Sequence, residues 1–278
     1  MRSFPALLTV FALSLATSYG QNTAPPAARE EAVVGGRVIK LPAPVGYERV
    51  DGLNPDSDRL INSMLPATHR YLARFDPPKN STSANGRSFN AQVLRALENR
   101  EIGERTFSEV KQQTKDEIEK AQDSIRQEIA RASGKAEKAL QDATDADTAL
   151  SLSDIAMLGC FDDAPSSLGF TMAMNVAAKV GGRDTKTRGV VATMIVPVNG
   201  RLLYLYANAG FNSPADRTWA EQAVTAWRDA VLAANPRVEG PAAGLLDFNS
   251  IGRSGLIGAI IGGVVALAAL LFKKKKAQ

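Results

Sequence analysis

The sequence predicts an α+β protein. Its antiparallel sheet is a meander with an Asn-Gly hairpin packed by helices, and it carries a long charged helical insertion and a C-terminal transmembrane helix. Three observations predict this. Leu168, Phe170, Met172, Met174 and Val176 alternate with Thr171, Ala173, Asn175 and Ala177, the period of a pleated strand with one apolar face. Apolar positions between Phe107 and Leu140 return every 11 residues, which is a helical period of about 3.67 residues per turn. Residues 254–272 are 19 positions without a charge, followed at once by Lys273, Lys274, Lys275 and Lys276. At ~1.5 Å per residue they reach ~28 Å, close to the ~30 Å hydrocarbon thickness of a bilayer.

Composition narrows the function classes. The chain has 278 residues, 45% of them hydrophobic, which is enough to bury a core and too apolar for a disordered chain. One Cys rules out an internal disulfide, one His rules out a His-rich metal centre, and no cofactor motif is present. The formal charge is +4, but Arg2 and the four tail lysines carry five positive charges, leaving −1 for residues 21–272. A near-neutral body has no broad basic footprint, so nucleic acid is not an expected partner.

Both ends read as membrane signals. Arg2, the apolar run Ala6–Ala16, and the small residues Ser18 and Gly20 form a signal peptide over 1–20, with cleavage before Gln21. Lysines resist transfer across a bilayer, so Lys273 to Lys276 place the tail 273–278 in the cytoplasm. The expectation is a single-pass protein of a bacterial inner membrane with a periplasmic body and the lipid bilayer as a partner. Gly258 and Gly262, in a G-x-x-x-G spacing beside Gly255, Ala259 and Gly263, are candidates for pairing two membrane helices.

The body follows in order. Residues 21–35, small and polar with two prolines, read as a flexible mature N-terminus ahead of an α+β domain over 36–235. Gly36–Leu41 reads as a strand ended by Pro42 and Pro44, Asp56–Leu65 as a helix ended by Pro66, and His69–Phe75 as a second strand. Pro77–Gly86 reads as a loop containing the sequon Asn80-Ser81-Thr82. Residues 88–143 form the expected insertion: a short helix at Phe89–Asn99 and a coiled-coil-like helix over 107–143. Between Glu104 and Gln141 this arm carries eight cations and eight anions, so it suits packing on its own domain or on a protein partner, including a second copy.

Residues 151–210 turn to strand period. Gly181-Gly182 breaks the strand, and Val190–Val198 and Arg201–Ala209 flank Asn199-Gly200, the strongest short hairpin signal. Val190–Val196 is apolar on both faces, so both sides of that strand are expected to be covered. Ser213, Pro214 and Asp216 start a helix, Trp219, Ala223, Trp227, Ala230 and Ala234 give its apolar stripe, and Asn235-Pro236 ends it. Residues 236–253 are a Gly- and Pro-containing tether.

The early segment Leu41-Pro42-Ala43-Pro44-Val45-Gly46-Tyr47, the late strands, the Asn-Gly hairpin and the closing helix together resemble the α/β sandwich of the PsbP and Mog1-like superfamily. The likeness spans roughly residues 36–76 and 151–235 and is architectural. It implies a sheet between helices and an accessory or binding role, and it carries over no catalytic residue.

Chemistry-bearing residues are sparse. His69 and Cys160 are the one conceivable nucleophile pair, and Cys160, within Ala-Met-Leu-Gly-Cys-Phe, reads as a core residue. Asp142, Asp145 and Asp147 lack the glycine and closing glutamate of a calcium loop, and Asp162-Asp163 before Pro165 reads as a turn. No serine sits in a G-x-S-x-G elbow. The expectation is a membrane-anchored binding or accessory protein and not an enzyme. The alternatives are an extracytoplasmic enzyme with an unrecognised carboxylate site and an oligomeric spacer built on the 107–143 helix.

Overall fold

Strand alternation dominates the body, and the sheet it builds is larger than the sequence suggests. The computed structural model describes residues 30–78, 81, 86–120, 138, 148–180 and 183–237. A small hairpin, β1 (Glu31–Val34) and β2 (Arg37–Lys40), precedes β3 (Glu48–Arg49), α1 (Pro55–Met64), β4 (His69–Asp76) and β5 (Ser88–Leu94). After a 3-10 turn at Arg95–Leu97 come α2 (Glu104–Lys120), β6 (Thr148–Asp162), β7 (Leu168–Val180), β8 (Arg183–Val198), β9 (Arg201–Gly210) and α3 (Pro214–Ala234). Seven strands form one sheet in the order β3-β4-β5-β9-β8-β7-β6, with every neighbour antiparallel.

This corrects the expected fold class. The described residues form mostly an antiparallel seven-stranded sheet with few helices, and among them no long charged helical insertion is evident. Ser88–Leu94, placed in the insertion as the start of a helix, is an inner strand of the sheet. Its sequence alternates Phe89, Ala91 and Val93 with Ser88, Asn90 and Gln92, so a strand buries both sets where a helix would leave them scattered. The described helix within the arm is the 17-residue α2, whose Phe107, Val110 and Thr114 are buried as the 11-residue period required. Glu31–Val34, expected within a flexible N-terminus, is strand β1.

The membrane, transmembrane and coiled-coil expectations are corrected as well. Among the described residues no helix is long and apolar enough to cross a membrane, which overturns the single-pass inner-membrane placement. The signal 1–20, the tether beyond residue 237, the span 254–272, Gly258, Gly262 and Lys273 to Lys276 lie outside the described residues, as do Asp142, Asp145 and Asp147.

The sheet buries both faces. On one face α3 lies against β8 and β9 and buries Ala220, Val224, Trp227 and Val231, a stripe offset from the one the sequence suggested. These meet Phe75, Phe89, Ala91, Val190, Ala192, Met194, Leu203, Leu205 and Ala207 from the strands. The Trp227 ring packs edge-on against Phe75 at 5.4 Å and Phe89 at 5.5 Å, and its indole N–H donates to the Pro42 carbonyl at 2.8 Å. The helix starts where Asp216 accepts from the backbone N–H groups of Asn212 and Ser213, both at 3.0 Å.

The β1–β2 hairpin is held to the same face by side chains that stand in for strand neighbours. Asn235, at the end of α3, accepts from the Lys40 N–H at 2.8 Å and donates to its carbonyl at 2.7 Å, as a paired strand would. At the hairpin's turn Arg201 donates to the carbonyls of Val34, Gly35 and Arg100 and pairs with Glu101 at 3.1 Å. Glu101 also pairs with Arg37 at 2.7 Å, and Arg37 donates to the Asn199 carbonyl. Asn199 and Gly200 have φ of 45° and 73°, the positive values a type I′ turn needs. A Cβ on Gly200 would also overlap the Glu101 carboxylate.

Arg201 has a side chain only 9% exposed, so removing its charge-assisted bonds leaves buried carbonyls unsatisfied. Arg201→Met is expected to lower the unfolding free energy by about 3 kcal/mol, whereas breaking the exposed Arg105–Glu109 pair with Arg105→Ala costs at most about 0.5 kcal/mol. Urea unfolding of the full chain, followed by the fluorescence of Trp219 and Trp227, checks both values.

Candidate polar binding face

The second face of the sheet is buried and polar. Strand pleating sends Ser88, Asn90 and Gln92 of β5 to the side opposite Phe89, Ala91 and Val93. The register aligns them with neighbours of the same kind. Gln92 pairs with Tyr71 on β4 and Tyr204 on β9, Asn90 with Arg74 and Tyr206, and Ser88 with Asn208. Tyr206 in turn faces Thr193 on β8. His69, at the start of β4, stacks edge-on against Tyr204 with ring centroids 5.9 Å apart. His69, Asn90, Gln92, Thr193, Tyr204, Tyr206 and Asn208 are all buried.

Many of these side chains keep unused hydrogen-bonding capacity. Eight buried side-chain polar atoms among the described residues lack a partner. Seven of them lie on this face: His69 Nε2, the Tyr71 and Tyr206 hydroxyls, Asn90 Nδ2, Gln92 Oε1, Thr193 Oγ1 and Asn208 Oδ1. The eighth, Arg87 Nε, belongs to a guanidinium stacked 4.4 Å over Trp219. The bonds that do form are local. Gln92 donates to Asn90 Oδ1 at 2.8 Å, Asn208 donates to the Ser88 hydroxyl at 3.3 Å, and Thr68 Oγ1 and His69 Nδ1 lie 3.1 Å apart. Each buried polar group left unmade costs about 1–3 kcal/mol, so seven on one face form a concentrated demand for partners.

The face carries no unbalanced charge. Arg74 and Asp76, 7% and 2% exposed, satisfy each other at 2.9 Å. Burial pushes the His69 imidazole from its ordinary 6.5 down to about 4, so the ring is neutral at neutral pH. Burial likewise raises the Tyr71, Tyr204 and Tyr206 phenols, which stay protonated, with Arg74 pulling Tyr71 the other way. A cleft of about 210 Å³ lies beside Tyr71, between the 51–52 loop, α1 and β4, and is lined by Asp51 and Asp58.

The sequence-derived chemistry falls elsewhere. Cys160 is exposed, where the sequence suggested a core position. It sits on β6, five strand steps from His69 on β4, or roughly 24 Å along the sheet, so the two form no nucleophile pair. Asp163 belongs to a surface cluster in which Lys111 and Lys115, both at 2.7 Å, hold its carboxyl at about 2. Asp162 is tied to Ser167 and to Arg228. No cluster of three or more metal-ligating side chains occurs among the described residues. The residues missed by the sequence reading, Asn90, Gln92, Thr193, Tyr206 and Asn208, share a visible signal: they alternate with core residues yet carry no charge. Solvent-facing positions on the same sheet, such as Lys186 and Arg188, are charged.

No protein-family model matches the chain, and no curated protein matches it.

The buried imidazole sets a pH dependence. The unfolded ring takes up its proton near 6.5 and the folded one near 4, so acidification across that window favours the unfolded chain. The stability this neutral ring contributes is complete above pH 6.5 and is lost as the pH falls toward 4, by about 3 kcal/mol in total. His69→Phe is expected to flatten the slope of unfolding free energy between pH 6.5 and 4 relative to the parent, as read by urea unfolding at each pH.

Proposed function

We propose that this is a non-catalytic binding protein that holds a small ligand against the polar face of its seven-stranded sheet. The observation that carries the reading is the convergence of seven buried, unpartnered polar atoms from β4, β5, β8 and β9 on one surface. A purely structural sheet face would use apolar side chains there, as the opposite face does. The donors and acceptors include none activated by a neighbouring base. Among the described residues His69 bonds to no carboxylate, serine or cysteine; its Nδ1 lies 3.1 Å from Thr68 Oγ1. The likeness to the PsbP and Mog1-like superfamily, with its accessory and binding proteins, points the same way.

The test exploits a sign difference. Thr193→Val with Tyr206→Phe removes two unpartnered hydroxyls, on residues paired across β8 and β9, and barely changes shape. With no ligand bound this double variant is expected to be as stable as the parent or up to about 1–2 kcal/mol more stable, because no existing bond is lost. A thermal-shift screen of the full chain against sugars, nucleosides, amino acids and fatty-acid derivatives is expected to find a compound that raises the parent's melting temperature. At 100 times its Kd the shift is about 5 °C or more, and the double variant loses it. A variant clearly less stable than the parent, together with a screen without hits, would contradict the reading.

A further inference from the structure

We infer that the cleft beside Tyr71 is a binding site for a primary alkylammonium group, carried by a free small amine or by a lysine side chain. The site lies apart from the ligand position proposed above and shares only Tyr71 with it. A turn and a helix build it. The turn Val50–Leu53 closes with a 3.3 Å bond from the Leu53 N–H to the Val50 carbonyl, and Gly52 takes its positive φ of 78°. The Asn54 carbonyl accepts from the Asp58 N–H at 3.0 Å where α1 begins, and Asp58 Oδ2 in turn accepts from the Gly52 N–H at 2.7 Å. Asp51, in the loop itself, accepts from the Arg74 backbone N–H at 2.8 Å and pairs with Arg49 at 2.9 Å. The two carboxylates line a space of about 210 Å³ together with Ile61, Asn62, Tyr71 and Leu72. That is far above the ~10–15 Å³ that one water needs and below the ~300–1,000 Å³ of pockets for drug-sized molecules.

Three features select the ligand. The lining holds two carboxylates and no base. Arg49 answers Asp51, but among the described residues Asp58 makes no ion pair and only its Oδ2 is bonded, so one negative charge lacks a counter-charge. The Tyr71 hydroxyl is the second feature: it is buried and has no partner among the described residues. It lies in the field of the same carboxylates, because the phenol, raised first by burial and lowered by Arg74, is raised further by Asp51, Asp76 and Asp58. Third, Ile61 and Leu72, 2% and 6% exposed, give the cleft an apolar wall. An ammonium has three donors and no acceptor, which matches Asp58 Oδ1, the Tyr71 oxygen and the Asn62 carboxamide oxygen. Its methylene stem lies along the wall, as lysine stems do on apolar surfaces. Calcium or magnesium requires about six oxygens, and no group of three metal-ligating side chains occurs among the described residues. An anion would meet two carboxylates, and a neutral alcohol would leave Asp58 uncompensated.

Titration of the full chain with butylamine, which is protonated at neutral pH as lysine is, tests the site. The amide resonances of Gly52 and Arg74, whose N–H groups bond to Asp58 and Asp51, report binding directly. Both are expected to shift and saturate. Butylamine is expected to bind at least tenfold more tightly than butanol, butyrate or butyltrimethylammonium, which lacks N–H donors. Asp58→Asn keeps an acceptor for Gly52 and removes the charge. It is expected to weaken butylamine at least tenfold with the fold retained, as far-UV circular dichroism reads. Tyr71→Phe is expected to weaken it about threefold to tenfold. Thr193→Val with Tyr206→Phe is expected to leave it unchanged, so this site can fail while the sheet-face reading stands, and the reverse. N-acetyl-lysine N-methylamide separates the sources: binding as tight as butylamine assigns the cleft to a lysine of a polypeptide, and weaker binding assigns it to a free amine. Butanol or butyltrimethylammonium binding as tightly as butylamine, calcium displacing it, or Asp58→Asn and Tyr71→Phe both leaving it unchanged would overturn the inference. The absence of any saturable shift at Gly52 would overturn it as well.

Discussion

A strand cannot choose which of its residues share a side, because the pleat alternates them, and this constraint organises the whole molecule. Once β5 and β9 occupy the centre of a sheet covered on both faces, every second residue must be buried with one set of neighbours and the rest with another. On the α3 side that rule yields a tight aromatic core around Trp227, Phe75 and Phe89. On the other side it lines up amides, phenols and hydroxyls in register across four strands. Slipping any one strand by a single residue would drive Asn90 or Tyr206 into the aromatic core and Phe89 or Leu205 onto the polar side, so register is fixed from both faces at once.

The periphery serves to hold that register. Arg201, Arg37 and Glu101 gather the β1–β2 turn, the segment after β5 and the β8–β9 turn into one ion-paired knot. Asn235 joins the end of α3 to β2, and Arg70 joins β4 to Glu98 at 2.8 Å and to the Val33 carbonyl. Arginine dominates these joints because its planar fork reaches several carbonyls and a carboxylate together, which a lysine cannot do. Such pairs matter here less for their gross energy than for the geometry they impose on the turns that feed β5, β8 and β9.

Much of the sheet was legible in the chain. Leu168–Val176 and the Asn199-Gly200 turn announced themselves because their alternation and turn chemistry are local. β5 was hidden beside a charged helical stretch, since seven residues that mix three polar with four apolar side chains fit a helix or a strand when read alone, and only long-range pairing with β4 and β9 decides between them. Within the described part of the 107–140 stretch, the helical spacing matches the burial of Phe107, Val110 and Thr114. The stripe of α3 was displaced because alanines satisfy several helical faces equally, and the choice fell to Val224 and Val231, which fill more of the groove over β8 and β9. The polar face was missed because hydrophilic residues in a strand are ordinarily assigned to water. The absence of charge among them was the clue that they face an interior.

The account stands or falls on what meets those seven polar atoms. A high-resolution crystal structure of the full chain, grown with the compound that raises its melting temperature most, examines them directly. The account predicts non-protein density at the polar face, with hydrogen bonds to the Tyr206 hydroxyl, Thr193 Oγ1 and the Asn208 carboxamide. Side chains of the protein itself closing those bonds, with no room left between them, would contradict it.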